Sequence, residues 1–390
     1  MRTIGACARG VRAPLIKTGD NIAQIVADSV LAAVKEENIQ LRDRDVIGIT
    51  EAVVARSQGN YATCGQISED IRQKYPSGVL AAAFPILSRN RFANILKGIA
   101  GGCEKLYILL SYPADEVGNE LISWEALDRS GINPYTDTLT EQEYRKVFGY
   151  ETKHVFTHID YVEYYKSLGD HVEIIFGNDV RNILAYTKNA LCCDIHTRFR
   201  SKRLLKEAGA EIVFGLDDVM SRPVNGSGYN ETFGVLGSNK ATENSVKLFP
   251  RDCERVVEEV AGKLKEASGK QIEVMIYGDG AFKDPVGKIW ELADPVVSPA
   301  FTQGLNGTPN ELKIKYLLDN DFAGKTGEEA SEALRGAIRS KKGDLEDKSL
   351  GTTPRRYTDL LGSLCDLMSG SGDKGTPIVL IQGYFDDYAS

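Results

Sequence analysis

Isoleucine and valine recur at Ile22, Ile25, Val26, Val30 and Val34, the three-to-four spacing that gathers apolar side chains on one side of an α-helix. The spacing predicts an amphipathic helix over 21–34, with Thr18 or Asp20 as its cap. The period then changes. Asp45-Val-Ile-Gly-Ile-Thr-Glu-Ala-Val-Val54 is an apolar, β-branched run of strand length that closes near Gly59. A second helix is expected over 89–99, and a second strand over 106–112, broken by Pro113.

From about residue 150 the apolar runs shorten, and strands are expected near 153–157, 171–176, 190–195 and 211–215 with helical stretches between them. Leu168-Gly169-Asp170 and Ala208-Gly209-Ala210 read as helix ends feeding strands. Past the Gly/Asn-rich stretch 225–239, a helix over 251–267, a strand over 272–277 and a final strand over 378–383 follow. This is an α/β chain carrying an inserted βαβα doubly wound subdomain. The expected domains are a core of 1–125 with 251–390, and an insertion of 126–250.

Composition narrows the function classes. At 390 residues, two domains or one core with a large insertion is the expectation. A hydrophobic share of 42% with 26% charged residues excludes a fibrous or largely disordered chain. A net charge of -8 opposes nucleic-acid binding, which needs a concentrated basic surface. The most apolar run, 78–87, contains Pro85 and is too short for the roughly twenty residues of a membrane span. With no secretory pattern at the N-terminus, a cytoplasmic location is expected. The seven cysteines form no Cys-x-x-Cys pair and are read as reduced thiols. Zinc is not expected, because Cys192 and Cys193 would point to opposite faces of a strand.

Five segments carry candidate chemistry. Gly10-Val-Arg12-Ala-Pro14-Leu-Ile-Lys17-Thr-Gly-Asp20 leads into a helix N-terminus, where backbone N–H groups with Arg12 or Lys17 suit an anion, unless the loop merely caps the helix. Thr50 and Arg56 follow a buried run. Asp115-Glu116 with Asn119, and Asp279 with Lys283, each follow a predicted strand. Carboxylates converging from two strand ends would hold Mg²⁺ or Mn²⁺, and taken singly each is an ordinary turn. The fifth segment, Ser369-Gly370-Ser371-Gly372-Asp373-Lys374-Gly375, permits close backbone approach to a phosphate or base, though it is not the G-x-x-x-x-G-K-[ST] loop. All four histidines lie in 126–250. Asp194-Ile-His196-Thr-Arg198 could bind an anionic acceptor or be structural, and Asp217-Asp218 could line a cleft or form a loop.

In this order the five segments resemble the coenzyme F-420 gamma-glutamyl ligase family, over roughly 2–120 and 250–390. The resemblance implies an α+β core that binds GTP or ATP through Gly10, Val11, Arg12, Pro14, Thr50, Asn119, Gly370, Ser371, Gly372, Lys374 and Gly375. It implies Mg²⁺ or Mn²⁺ on Asp115, Glu116, Asp279 and Asp373, with Asp373 taking over from a family carboxylate near Ser371. Arg56 and Lys283 would stabilise charge on the transferred phosphoryl group. The implied reaction joins an amino acid, typically glutamate, to a small carboxylate acceptor through an acyl phosphate, in a homodimer. The competing readings are a metal-dependent nucleotide hydrolase or phosphotransferase, and a non-catalytic nucleotide sensor.

Overall fold

Short β-branched runs and amphipathic helices fold into a mixed α/β chain of two units, Met1–Ser57 with Asp252–Ser390, and Gln58–Arg251. The computed structural model describes residues 3–88, 92–150, 153–154, 158–279, 296–343, 348, 356–369 and 373–390, with the backbone alone at 279, 296 and 297.

The first unit opens with β1 (Cys7–Val11), α1 (Ile22–Glu36), β2 (Val46–Thr50) and α2 (Glu51–Gln58). Helix α1 buries Ile22, Val26 and Val30 as the spacing predicts. Its cap is Asn21, not Thr18 or Asp20: the Asn21 side chain accepts from the Gln24 N–H at 3.1 Å, and Asp20 accepts from the Lys17 N–H. The strand expected through Val54 stops at Thr50. Ala52 and Ala55 favour helix, and in α2 Val54 still reaches the core that holds Ile47 and Ile49. Gly10 and Val11, expected in a loop, are the last residues of β1.

The second unit begins with β3 (Tyr61–Thr63), α3 (Cys64–Lys74), β4 (Val79–Ala83), α4 (Ala93–Gly101) and β5 (Lys105–Leu110). It continues with α5 (Trp124–Ser130), β6 (Leu139–Thr140), α6 (Glu141–Phe148), α7 (Tyr161–Lys166) and β7 (Val172–Phe176). Then come β8 (Asn189–Cys192), α8 (Arg198–Glu207), β9 (Ile212–Gly215), β10 (Asn239–Thr242) and β11 (Ser245–Lys247). Six strands pair in the order β6-β7-β5-β4-β8-β9, all parallel except β6. Chain order among the parallel strands therefore runs outward both ways from the adjoining pair β4 and β8, with the antiparallel β6 added at the edge beyond β7. Strands β4 and β5 precede residue 126 yet share this sheet with strands that follow it. Strand β4 comes from the apolar run 78–87, whose Leu80–Ala83 stretch is wholly buried, as befits a central parallel strand covered on both faces. Helices α3 and α4 pack closely: a Cβ at Gly98 would stand 2.7 Å from Ile67. No strand lies among the described residues of 153–157; 155–157, like 89–91 at the expected start of α4, fall outside them.

The chain returns to the first unit with α9 (Cys253–Ser268), β12 (Glu273–Asp279), β13 (Val296–Phe301), α10 (Ile314–Asp319), α11 (Gly327–Ser340), α12 (Tyr357–Met368) and β14 (Ile378–Gln382). The sheet order is β1-β14-β2-β12-β13, with only β2 and β12 parallel. Period-two alternation gives each face its own core. Ile47, Ile49, Val274 and Ile276 meet Val26, Val30, Val260 and Leu264 of α1 and α9. Val46, Met275 and Val379 meet Leu361 and Cys365 of α12. Gly48 belongs to the second face, and a Cβ there would lie 2.3 Å from the Cys365 sulfur, so the missing side chain is what lets α12 lie against β2. The described cysteines are all free thiols, and no described helix is long and apolar enough to cross a membrane.

Candidate functional site

Strand direction brings together segments far apart in sequence. In the first unit Val11 is opposite Ile378, Ile378 opposite Ile49, and Tyr277 beside Thr50. Strands β1, β2 and β12 thus end where β14 begins. The Thr50 N–H donates to the Pro377 carbonyl at 3.0 Å. Gly10 lies so near the terminal loop that a Cβ would stand 3.0 Å from that of Thr376. Gly375 takes a left-handed φ of 63° that favours glycine. Gly10, Val11, Arg12, Pro14, Thr50, the Asp279 end of β12, Lys374 and Gly375 accordingly share one end of the sheet. Arg12, Asp373 and Lys374 are exposed. Lys283, Gly370, Ser371, Gly372 and the Asp279 side chain lie outside the described residues.

Arg56 sits near the C-terminus of α2, where sequence reading had a strand end. Its Nε donates to the Ile16 carbonyl at 2.6 Å, the Thr18 hydroxyl donates to the Arg56 carbonyl, and the Gly19 N–H donates to Ser57. Arg56 therefore pins the loop that follows β1. In this conformation it is a positioning residue for that loop.

Asp115, Glu116 and Asn119 lie together in the second unit, in the turn after β5, and each is engaged. Asp115 accepts four hydrogen bonds: from the N–H groups of Leu87 at 2.8 Å, Val117 at 3.0 Å and Asn119 at 2.9 Å, and from the Asn119 side-chain amide at 2.8 Å. Glu116 accepts from the N–H of Ile195 on one oxygen and from that of His196, at 3.1 Å, on the other. Two adjacent carboxylates thus join the loops that follow β5, β4 and β8. Asp194, fully buried, accepts from the Thr197 and Ser201 hydroxyls at 2.6 and 2.7 Å. Lys202 bridges Asp217 and Asp218 at 2.9 and 2.7 Å. Among the described residues no three His, Cys, Asp or Glu side chains group as a metal site. The anion that Asp194-Ile-His196 attracts is therefore, in this structure, the protein's own Glu116. Sequence gave no sign of that pairing across 80 residues.

Burial raises the Glu116 carboxyl from its ordinary 4.5 to about 7; the Asp194 and Asp115 charges add to the rise, and the Ile195 and His196 amides oppose it. A carboxyl that holds its proton more tightly when folded makes stability fall as pH climbs from 4.5 towards 7, by roughly 3 kcal/mol in all. Glu116→Gln should flatten that interval. Denaturation of both proteins across pH 4.5–8 checks this, and the difference should drift towards the variant as pH rises.

Polar loops and glycine-rich backbone lie at strand ends in each of the two units, the places where α/β folds commonly bind small molecules. A family model described as F420-0:Gamma-glutamyl ligase matches residues 10–383. The chain belongs to the F420-0:gamma-glutamyl ligase family, which makes it a ligase by class. The match runs through the middle third, which the resemblance read from motifs had left out. No curated protein matched the chain.

Proposed function

We propose that the protein is a triphosphate- and divalent-metal-dependent amide ligase that joins L-glutamate, or another amino acid, to a carboxylate acceptor. The triphosphate is GTP, with ATP as the alternative, and its place is the end of the first unit's sheet. One observation carries this reading: the loop after β1, the β2–α2 junction at Thr50, the end of β12 and the loop before β14 share that end, in a chain of a glutamyl ligase family. Backbone N–H groups around Gly10 and Gly375 give close approach, and Arg12 and Lys374 supply charge.

In the proposed reaction the acceptor carboxylate attacks the γ-phosphorus and the bond to the β-phosphate oxygen breaks. The amine then attacks the acyl carbon, an amide C–N bond forms, inorganic phosphate leaves and the nitrogen loses a proton. Carboxylates Asp373 and Asp279 offer the hard oxygen donors that Mg²⁺ or Mn²⁺ takes, and a cation there would offset the triphosphate charge. Arg12 and Lys374 orient the phosphates, Lys283 is assigned to the developing charge, and Arg56 holds the first loop in place. The reading extends to a doubly wound layer in the second unit, with acceptor contacts from 126–250, and to a cytoplasmic homodimer. Phosphate release that needs triphosphate, acceptor and amino acid together supports it. Release without the amino acid would replace it with a hydrolase.

A further inference from the structure

The loops after β4, β5 and β8 meet where chain order reverses in the second unit. We propose that this place receives the head group of an α-amino acid, its carboxylate on the N–H groups of Ile195 and His196 and its ammonium on Asp194. The proposal rests on the ligase reading above and locates that reaction's amino acid.

In a parallel sheet whose order runs outward both ways, the loops leaving the two adjoining strands diverge, and the crevice between them is where ligands bind. Here the adjoining strands are β4 and β8, closed at their ends by a bond from the Cys193 N–H to the Ala83 carbonyl at 2.8 Å. Just beyond it, two consecutive N–H groups take the two oxygens of one carboxylate, that of Glu116. This is the geometry of a carboxylate receptor ahead of a ten-residue helix.

The neighbouring side chain gives the second half of the ligand. Asp194 is fully buried; one of its oxygens holds Thr197 and Ser201, and the other accepts no hydrogen bond from another described residue, with the Arg198 charge and the Asp194 backbone amide as its nearest compensation. A buried acceptor without a donor is costly, and the donor it calls for is cationic or strongly polar. Asp194 also acts on Glu116 as a like charge. Exchanging Glu116 for an amino acid keeps a carboxylate on the amides and adds an ammonium that attracts Asp194. A dicarboxylate lacks the ammonium, and a simple amine lacks the carboxylate. Glu116 can leave without dismantling the turn, because Asp115 holds the turn through its four bonds, while Val117 and Gly118 beside Glu116 are exposed.

Calorimetric titration of the full chain with L-glutamate and with N-acetyl-L-glutamate, without nucleotide, tests the assignment. Wild type should bind glutamate at least about tenfold more tightly than the acetylated compound, and Glu116→Ala, which removes the internal competitor, should tighten glutamate binding by about tenfold. Asp194→Asn should erase the preference for the free amine. Should that variant fail to melt cooperatively, the Glu116→Ala and acetylation arms decide alone. Equal affinity for the two compounds, an unchanged Kd in Glu116→Ala, or no binding by either protein overturns the site. Glutamate binding in a protein that forms no amide would uphold the site and sink the ligase reading. Amide formation with a glutamate KM unmoved by Glu116→Ala would do the reverse.

Discussion

Replacing both exposed cations at the end of the first unit's sheet, as Arg12→Ala with Lys374→Ala, is expected to raise the KM for the triphosphate by roughly a hundredfold or more. A hydrogen bond to a charged group contributes on the order of 1.5–3 kcal/mol, so each single substitution should account for about tenfold or somewhat more. The two residues approach the same place from opposite ends of the chain. Arg12 directly follows β1, Lys374 precedes β14, and the β1–β14 ladder holds them there through the pairing of Val11 with Ile378. Both side chains are exposed, so melting temperature and circular dichroism should stay at wild-type values, which separates a binding effect from unfolding. Steady-state kinetics with varied triphosphate is the check. An unchanged KM in the double variant would move the triphosphate away from this end of the sheet.

Arg145→Met should destabilise the second unit by about 1.5–3 kcal/mol, the contribution of the charged hydrogen bonds that the guanidinium makes. The Arg145 guanidinium is buried against Asp160, with bonds of 2.9 and 3.1 Å, and against Glu163 at 3.0 Å. Asp160 also caps α7, accepting from the N–H groups of Val162 and Glu163, so its carboxylate keeps those donors in the variant and the loss is that of the guanidinium's own bonds. Methionine keeps much of the stem's volume, which leaves charge as the main change. Urea unfolding should show the midpoint fall in the variant, and adding Asp160→Asn should recover part of the loss. A midpoint within error of wild type would mean that the ion pair contributes nothing net.

The elements whose apolar spacing is regular were legible in the sequence. Helix α1 shows its stripe in Ile22, Val26 and Val30, and strands β7, β8 and β9 fall close to their expected places. What pattern alone does not carry is tertiary choice. The run from Val46 to Val54 stays largely apolar on both sides of Thr50, and the helix preference of Ala52 and Ala55 together with packing of Val54 against the core turns its second half into α2. Strand β4 is hard to see because its run is short and rich in alanine, although those alanines suit a strand buried on both faces. At the candidate site, Thr50 and Lys374 border strands that the sequence pattern predicts, whereas Gly10 lies at the end of a strand, β1, that the pattern reads as a loop. The bonds of Asp115 and Glu116 do not follow from the pattern, because a carboxylate after a strand reads alike whether it meets a cation or a backbone amide. Partners such as Leu87 and Ile195 contribute only N–H groups, which every residue but proline has, so no side chain advertises them.

The most direct measurement is the mass of the product formed when the protein is given GTP, Mg²⁺ or Mn²⁺, L-glutamate and an extract of small carboxylate metabolites. A new species heavier than its acceptor by one glutamyl residue, with matching phosphate release, is the predicted result. Phosphate release with no new amide, or triphosphate binding with neither, would contradict it.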